Sequence, residues 1–164
     1  MNAIQKYYIR SLNYSKHRFI VELVAMSIIL KLFLGVVWGL LATIIDVPSL
    51  SKQSVSYQND NIAILIIVLG ILAPLIETFT QWIPIKILKK VTTNYLIIIF
   101  ITALLFASLH LSYSPFYATM VFPVGIVLSW SFYCKYKKSL REAFLTTFLI
   151  HAFHNLFTIS FIIL

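Results

Sequence analysis

The chain has 164 residues, of which 60% are hydrophobic and 11% are charged, and its mean hydropathy is +0.93. In a soluble domain about a quarter of the residues are charged, so this composition excludes that class. The length suits one domain, with room for about five membrane-spanning helices of about 20 residues each. We therefore expect an all-α fold, a polytopic transmembrane helical bundle.

The net charge of +8 is distributed unevenly along the chain. Eleven of the thirteen basic residues lie in three clusters, within 6–18, 86–90 and 135–141. Short cytoplasmic loops of membrane proteins are rich in Lys and Arg, so this pattern predicts that the N-terminus is cytoplasmic. We interpret the clusters as topology signals that contact anionic lipid headgroups, and we expect no nucleic-acid partner.

The predicted elements begin with a cytoplasmic interfacial segment at residues 1–18, whose tyrosines suit the headgroup region. The rest of the chain, residues 19–164, is predicted to form a single transmembrane domain. Residues 46–60 are rich in Ser, Asn and Gln, which is typical of an external loop. The approximate spans are 19–45, 61–83, 95–111, 116–133 and 142–164.

Local signals mark where several of these helices begin and bend. Asn94 precedes the third span as a cap, and Ser114, followed by a proline, precedes the fourth. Ser139, with a glutamate three residues later, forms a capping box before the fifth span. Pro74 removes a backbone donor within the second span and predicts a bend there.

Several polar side chains lie within the predicted spans. An ionisable group at membrane depth costs about 2.5–3.5 kcal/mol on insertion scales, so it tends to persist where it has partners and a function. We interpret Lys31 as a lysine that extends its ammonium to the interface, with a buried partner for a carboxylate as the alternative. Glu77, His110, His151 and Asn155 are of types that carry out hydrolysis together, and we interpret them as a candidate active site.

The chemistry of these four side chains suits the hydrolysis of an amide. A carboxylate in a low-dielectric setting accepts a proton from water, and an imidazole holds that water or donates to the leaving amine. An asparagine amide stabilises an oxyanion. His110, His151 and Glu77 would also bind a divalent metal such as zinc if the protein uses one, although the chain has no H-E-x-x-H motif.

The depths predicted for Glu77 and His110 in the membrane raise a geometric problem. If all spans begin and end at the same levels, Glu77 and His110 are offset along the membrane normal by about 15 Å, at 1.5 Å per helical residue. We expect them to meet only if the third span is shifted, tilted or bent. A bend at Pro74 would permit such a displacement.

Three short motifs carry a resemblance to a known family. They are A-P-L-I-E at 73–77, F-A-S-L-H at 106–110 and H-A-F-H-N at 151–155. In order and placement on separate helices they resemble the motifs of the CPBP intramembrane proteases. That family includes CAAX prenyl endopeptidases and bacterial proteins linked to bacteriocin immunity or processing. The resemblance covers about 69–159.

The resemblance implies a role for each of the four polar residues. Glu77 would be the base that activates water, and His110 and His151 would position the water or a metal. Asn155 would help to hold the oxyanion. Phe106, in the second motif, would shape the site.

Two positions depart from the pattern of the family, which has a second Glu after the first and an Arg four residues after that second Glu. Thr78 stands in place of the second Glu and Trp82 in place of the Arg. The paired loss of a charge and its counter-charge is compatible with an active enzyme or with an inactive branch. Gln81, one turn beyond Glu77, would replace part of the lost hydrogen bonding.

The resemblance implies an intramembrane endopeptidase that hydrolyses a peptide bond with a Glu-activated water. Its partners would be the lipid bilayer and a peptide or protein substrate, either lipidated or a leader peptide. Its location would be a bacterial plasma membrane, as an integral multi-pass protein. A non-catalytic immunity or scaffold protein of the same fold is the alternative, and a small proton-coupled transporter is a third hypothesis.

Overall fold

The structure, a computed structural model, describes residues 3–44 and 61–163. Within these ranges the chain is helical with no strand, which confirms the all-α prediction. The predicted external loop at 46–60 lies outside the described residues. The helices are α1 (Ala3–Leu12), α2 (Lys16–Ile44), α3 (Ile62–Leu88), α4 (Tyr95–Ser108), α5 (Pro115–Tyr136) and α6 (Leu140–Ile163).

Each of the five predicted spans corresponds to one apolar helix. Four of them, α2, α3, α5 and α6, are long and apolar enough to cross a membrane. α4 has 14 residues and is therefore about 21 Å long, shorter than a hydrocarbon core of about 30 Å. The protein is thus a multi-pass helical bundle of the integral membrane class.

Side-chain caps fix the starts of the later helices where the sequence predicted them. Asn94, Ser114 and Ser139 each accept a hydrogen bond from a backbone N–H two or three residues further on, at 3.0, 2.9 and 3.0 Å. These bonds satisfy N–H groups that have no partner within the helix. The caps set the connection lengths and with them the depth at which each functional side chain lies.

α5 is the central helix of the bundle, and α2, α3, α4 and α6 pack around it. Its residues are mostly buried, whereas the outer helices expose large apolar side chains. Val21, Val36 and Ile76 are each more than 60% exposed, which suits contact with lipid tails. The fold therefore has an apolar belt outside and its tightest packing along α5.

Small polar side chains connect the helices inside the bundle. Ser129 on α5 donates a hydrogen bond to Gln81 on α3 at 2.7 Å, and Thr147 on α6 donates to Ser131 on α5 at 3.0 Å. Interfaces between membrane helices favour such residues because they allow close approach and supply interhelical hydrogen bonds. These contacts hold α3 and α6, which carry most of the candidate site, against α5.

α1 packs onto the end of the bundle through aromatic rings. The Tyr8 ring stacks on that of Tyr95 at 5.0 Å, and the Tyr7 ring lies 5.6 Å from that of Trp130. The Lys137 ammonium lies 4.9 Å from the centre of the Tyr8 ring. Offset aromatic pairs and cation–π contacts of this kind stabilise such an arrangement. The predicted interfacial segment therefore contains a helix that contacts α4 and α5.

Candidate active site

Three helical segments bring Glu77, His110 and His151 together. Glu77 lies on α3, His110 in the turn that follows α4, and His151 on α6. The Glu77 Oε2 atom is 3.6 Å from His151 Nε2 and 3.9 Å from His110 Nε2. Both separations exceed an ordinary hydrogen bond, and a polar contact beyond 3.5 Å is where a bridging water is expected. The three groups thus surround a small common volume.

The axial offset expected between Glu77 and His110 is absent. α3 continues through Pro84 to Leu88, five residues beyond the predicted end of its span at Ile83. At 1.5 Å per residue this extension places Glu77 about 7 Å further from the end of its helix than the sequence suggested. The extension accounts for about half of the expected offset. The 3.9 Å separation of the two side chains shows that the assumption of spans with equal limits was wrong.

Burial increases across the site from Glu77 to His151. The side chain of Glu77 is 26% exposed, that of His110 13% and that of His151 5%. The carboxylate is therefore reachable from outside the bundle, while His151 forms the closed side. The common volume is therefore open on the side of Glu77 and closed on the side of His151.

The hydrogen bond made by His110 fixes its tautomer. Its Nδ1 lies 2.9 Å from the carbonyl oxygen of Phe106, and a carbonyl oxygen can only accept. Nδ1 therefore carries the proton, and in the neutral ring Nε2 presents a lone pair towards Glu77. A lone pair opposite a carboxylate requires a donor between them, such as the O–H of water.

Aromatic rings enclose the two imidazoles. The buried Phe106 ring lies 5.0 Å from the His110 ring and 5.8 Å from the His151 ring. Tyr113 and Tyr117, in and just after the loop between α4 and α5, place their rings 6.2 and 5.8 Å from His110. Phe106 thus separates and orients the imidazoles. The sequence predicted this shaping by Phe106 but not the contacts of the two tyrosines.

His151 Nδ1 is buried and has no hydrogen-bond partner among the described residues. Its Nε2 faces the Glu77 carboxylate, which favours the tautomer with the proton on Nε2. The two imidazoles then differ in function, because His110 presents an acceptor to the common volume and His151 presents a donor.

Asn155 holds an irregular turn of α3 in place. Residues Val68–Leu72 form a π-helical turn, in which each carbonyl pairs with the N–H five residues later. The partner of the Leu69 carbonyl in this register would be Pro74, which has no N–H. The Asn155 amide donates to that carbonyl instead, at 2.8 Å. One of the two N–H groups of Asn155 is thus used within the protein.

At this π-helical turn α3 and α6 approach closely. A Cβ added at Gly70 would lie 2.7 Å from Leu156 Cδ2, so a larger residue requires the Leu156 side chain to move. We expect Gly70→Ala to lower the free energy of unfolding by about 1–3 kcal/mol, the usual cost of overpacking. Denaturant unfolding in detergent measures this change.

Gly39→Ala is the matched control for Gly70→Ala, because a Cβ at Gly39 meets nothing within 4 Å. Alanine at an open helical position stabilises by about 0.5–1 kcal/mol relative to glycine. Combining Gly70→Ala with Leu156→Ala should restore part of the lost stability. Equal effects of the two glycine substitutions would contradict the close approach.

Thr78, Gln81 and Trp82, the positions on α3 discussed from the sequence, each contact nearby groups of the protein. Thr78 is buried and its hydroxyl donates to the Pro74 carbonyl at 2.7 Å, so it needs no charged partner. The Gln81 carboxamide oxygen accepts from Ser129 on α5. Trp82 places its ring 5.2 Å from the Lys86 ammonium. These contacts show how the helix accommodates the two departures from the family pattern.

The donor set of Glu77, His110 and His151 suits a divalent metal chemically, and a backbone carbonyl on His110 Nδ1 is a common support for a metal-binding imidazole. Across the part of the chain that the structure describes, however, no group of three such side chains meets the geometry of a metal site. We therefore derive no step through a metal.

A second set of polar contacts, between α2 and α6, was not predicted. The Ser27 hydroxyl lies 2.8 Å from His154 Nδ1, and Lys31 donates to the Thr158 hydroxyl at 3.2 Å. The described partner of the Lys31 ammonium is thus a hydroxyl and not the carboxylate of the alternative interpretation. The sequence contains a signal for these contacts. Ser27 and Lys31 on α2 are four positions apart, as are His154 and Thr158 on α6, and this spacing places each pair on one face of its helix.

One family profile matches residues 59–157, and its description is type II CAAX prenyl endopeptidase Rce1-like. The match covers more than half of the chain and includes Glu77, His110, His151 and Asn155. The chain belongs to this family. The result confirms the resemblance to CPBP intramembrane proteases. No curated protein and no solved structure matches the chain.

Membership in the Rce1-like family agrees with the fold described above. It is a family of membrane-embedded CAAX proteases, whose members act beside a lipid bilayer on peptide substrates. The matched region begins just before α3 and ends within α6, so it includes the three helical segments that meet at Glu77.

Proposed function

We propose that the chain is an intramembrane endopeptidase in which Glu77 activates water to hydrolyse a peptide bond. The convergence of one carboxylate and two imidazoles supports this proposal. They come from three helical segments, at 3.6 and 3.9 Å, and their side chains are between 5% and 26% exposed. Low-dielectric surroundings strengthen the electrostatic interactions on which such catalysis depends.

In the proposed reaction a water molecule lies between Glu77 and the imidazoles. The His110 Nε2 lone pair accepts one O–H of the water, and the Glu77 carboxylate removes the other proton. The water oxygen then attacks the carbonyl carbon of the substrate. His151 Nε2–H, with the second N–H of Asn155, donates to the oxyanion. The proton on Glu77 passes to the leaving nitrogen as the C–N bond breaks, which restores the carboxylate.

We further propose that the substrate is held in the bilayer by a lipid anchor. Ile76, which precedes Glu77 in the sequence, is 66% exposed on the apolar surface, and the Glu77 side chain is itself 26% exposed. The carboxylate can therefore be reached from a surface that suits lipid. A prenylated peptide diffusing in the membrane would then reach Glu77 laterally, in keeping with the description of the family. A leader-peptide substrate and a bacterial plasma membrane remain predictions from the resemblance.

The test uses purified protein in liposomes with a farnesylated peptide that carries a C-a-a-X end. We expect mass spectrometry to detect two cleavage products with the wild type and none with Glu77→Gln. A pH-sensitive dye enclosed in the same liposomes tests the transport hypothesis. Proton flux without cleavage would contradict the protease proposal and favour the transporter hypothesis.

A further inference from the structure

A cavity of about 370 Å³ lies between α2, α5 and α6, next to the candidate active site but distinct from it. Its walls are largely apolar, and its polar groups come from α2 and α6. Ser27, which bonds to His154 beside the cavity, is fully buried. The polar side chains that line the cavity are those of Lys31, His154 and Thr158.

Lys31 places a cation in this cavity. It lies near the middle of α2, and its ammonium donates to the Thr158 hydroxyl at 3.2 Å. Within 3–44 and 61–163 no carboxylate forms an ion pair with it. An ammonium has three N–H donors, and a charge at membrane depth is costly unless it is paired. The cavity therefore complements a ligand with one anionic group and apolar neighbours.

The cavity and the candidate active site share one face of α6. Thr158 follows His151 by seven residues, which is nearly two full turns, so both side chains leave the helix in almost the same direction. Seven residues rise about 10.5 Å along the helix. His154 lies between them and also borders the cavity.

This spacing matches a short stretch of extended peptide. Three extended residues cover about 10 Å at 3.3–3.6 Å each. A peptide cleaved beside His151 would thus place a carboxylate near Lys31 if its chain ends about three residues after the cleaved bond. The apolar walls would then surround the side chain of the terminal residue.

We propose that Lys31, supported by Thr158, binds the C-terminal carboxylate of the peptide substrate. The cavity then limits cleavage to peptides that end a few residues beyond the cleaved bond. This inference rests on the proposed protease function for its occupant, but its test measures binding and does not require cleavage.

Binding is measured with Glu77→Gln protein and two fluorescent farnesylated C-a-a-X peptides that differ only at the C-terminus. One has a free carboxylate and the other a carboxamide. We expect the carboxylate peptide to bind at least tenfold more tightly. Lys31→Met in the same background should remove this preference by weakening binding of the carboxylate peptide, with little effect on the carboxamide.

Two further variants keep the test decisive. Lys86→Met, at an exposed lysine on α3, is the matched control and should preserve the preference. Lys31→Arg retains the positive charge and should keep part of it. Equal binding of both peptides by the Glu77→Gln protein would overturn the proposal and favour a membrane lipid as the occupant. Equal weakening of both peptides by Lys31→Met would also overturn it.

Cleavage by the wild type separates this inference from the proposed function. Cleavage of both peptides at equal rates, unchanged by Lys31→Met, would overturn the carboxylate site and leave the protease standing. Failure to cleave either peptide, together with carboxylate-selective binding that depends on Lys31, would overturn the protease and support the site.

Discussion

Glu77→Gln is expected to lower kcat/KM for peptide cleavage by about 10³-fold, within the range that general-base catalysis contributes. The glutamine preserves the size of the side chain but replaces one accepting oxygen by a donating NH2 and cannot take a proton from water. The Glu77 carboxylate faces both imidazoles, so no other described carboxylate is placed to replace it. Initial rates with purified protein in liposomes measure the loss.

Glu22→Gln is the matched control for this substitution. Glu22 lies on the first turns of α2, a helix that carries none of the four site residues. Its carboxylate contacts Arg18 at 3.7 Å and Tyr7. We expect Glu22→Gln to retain wild-type kcat/KM. A Glu77→Gln protein that folds and cleaves at the wild-type rate would exclude the proposed mechanism.

The two imidazoles are expected to act as a unit. His110→Ala and His151→Ala should each lower kcat/KM by about 10²–10³-fold, since each removes one contact to the same water or to the oxyanion. The double variant should lose little more than the worse single variant, because residues that act together give strongly non-additive effects. Values of kcat/KM for the wild type, the two single variants and the double variant give the coupling free energy between the two imidazoles.

His17→Ala tests whether replacing any histidine of the chain lowers kcat/KM, or only replacing those at the candidate site. His17 is exposed at the start of α2, so its replacement should not change the rate. Multiplicative losses in the His110 and His151 double variant would mean that the imidazoles contribute independently. That result would contradict imidazoles that act as a unit.

The fold was largely predictable because its signals are local. Composition and the apolar runs indicate membrane helices, and the caps at Asn94, Ser114 and Ser139 act within three residues of themselves. Such signals depend on no distant part of the chain. The shortness of α4 was harder to predict, because its apolar sequence continues to Leu111 after the helix has ended at Ser108.

The types of residue at the candidate site were predictable, but their arrangement was not. The depth of Glu77 depends on how far α3 continues past Pro84, and a proline in a helix signals either a bend or an end. The π-helical turn of α3 depends on Asn155, which is 86 residues away in the sequence. The contact between Lys31 and Thr158 spans 127 residues. Only the packed bundle brings such partners together.

The most direct test of the central claim follows oxygen during cleavage in water enriched in ¹⁸O. If Glu77 acts as a base on water, each new carboxylate in the product gains one ¹⁸O atom and Glu77 gains none. Mass spectrometry of the product and of the protein fragment that contains Glu77 measures both after many turnovers. An ¹⁸O atom in the Glu77 side chain would instead indicate a covalent acyl intermediate on Glu77 and would contradict the account.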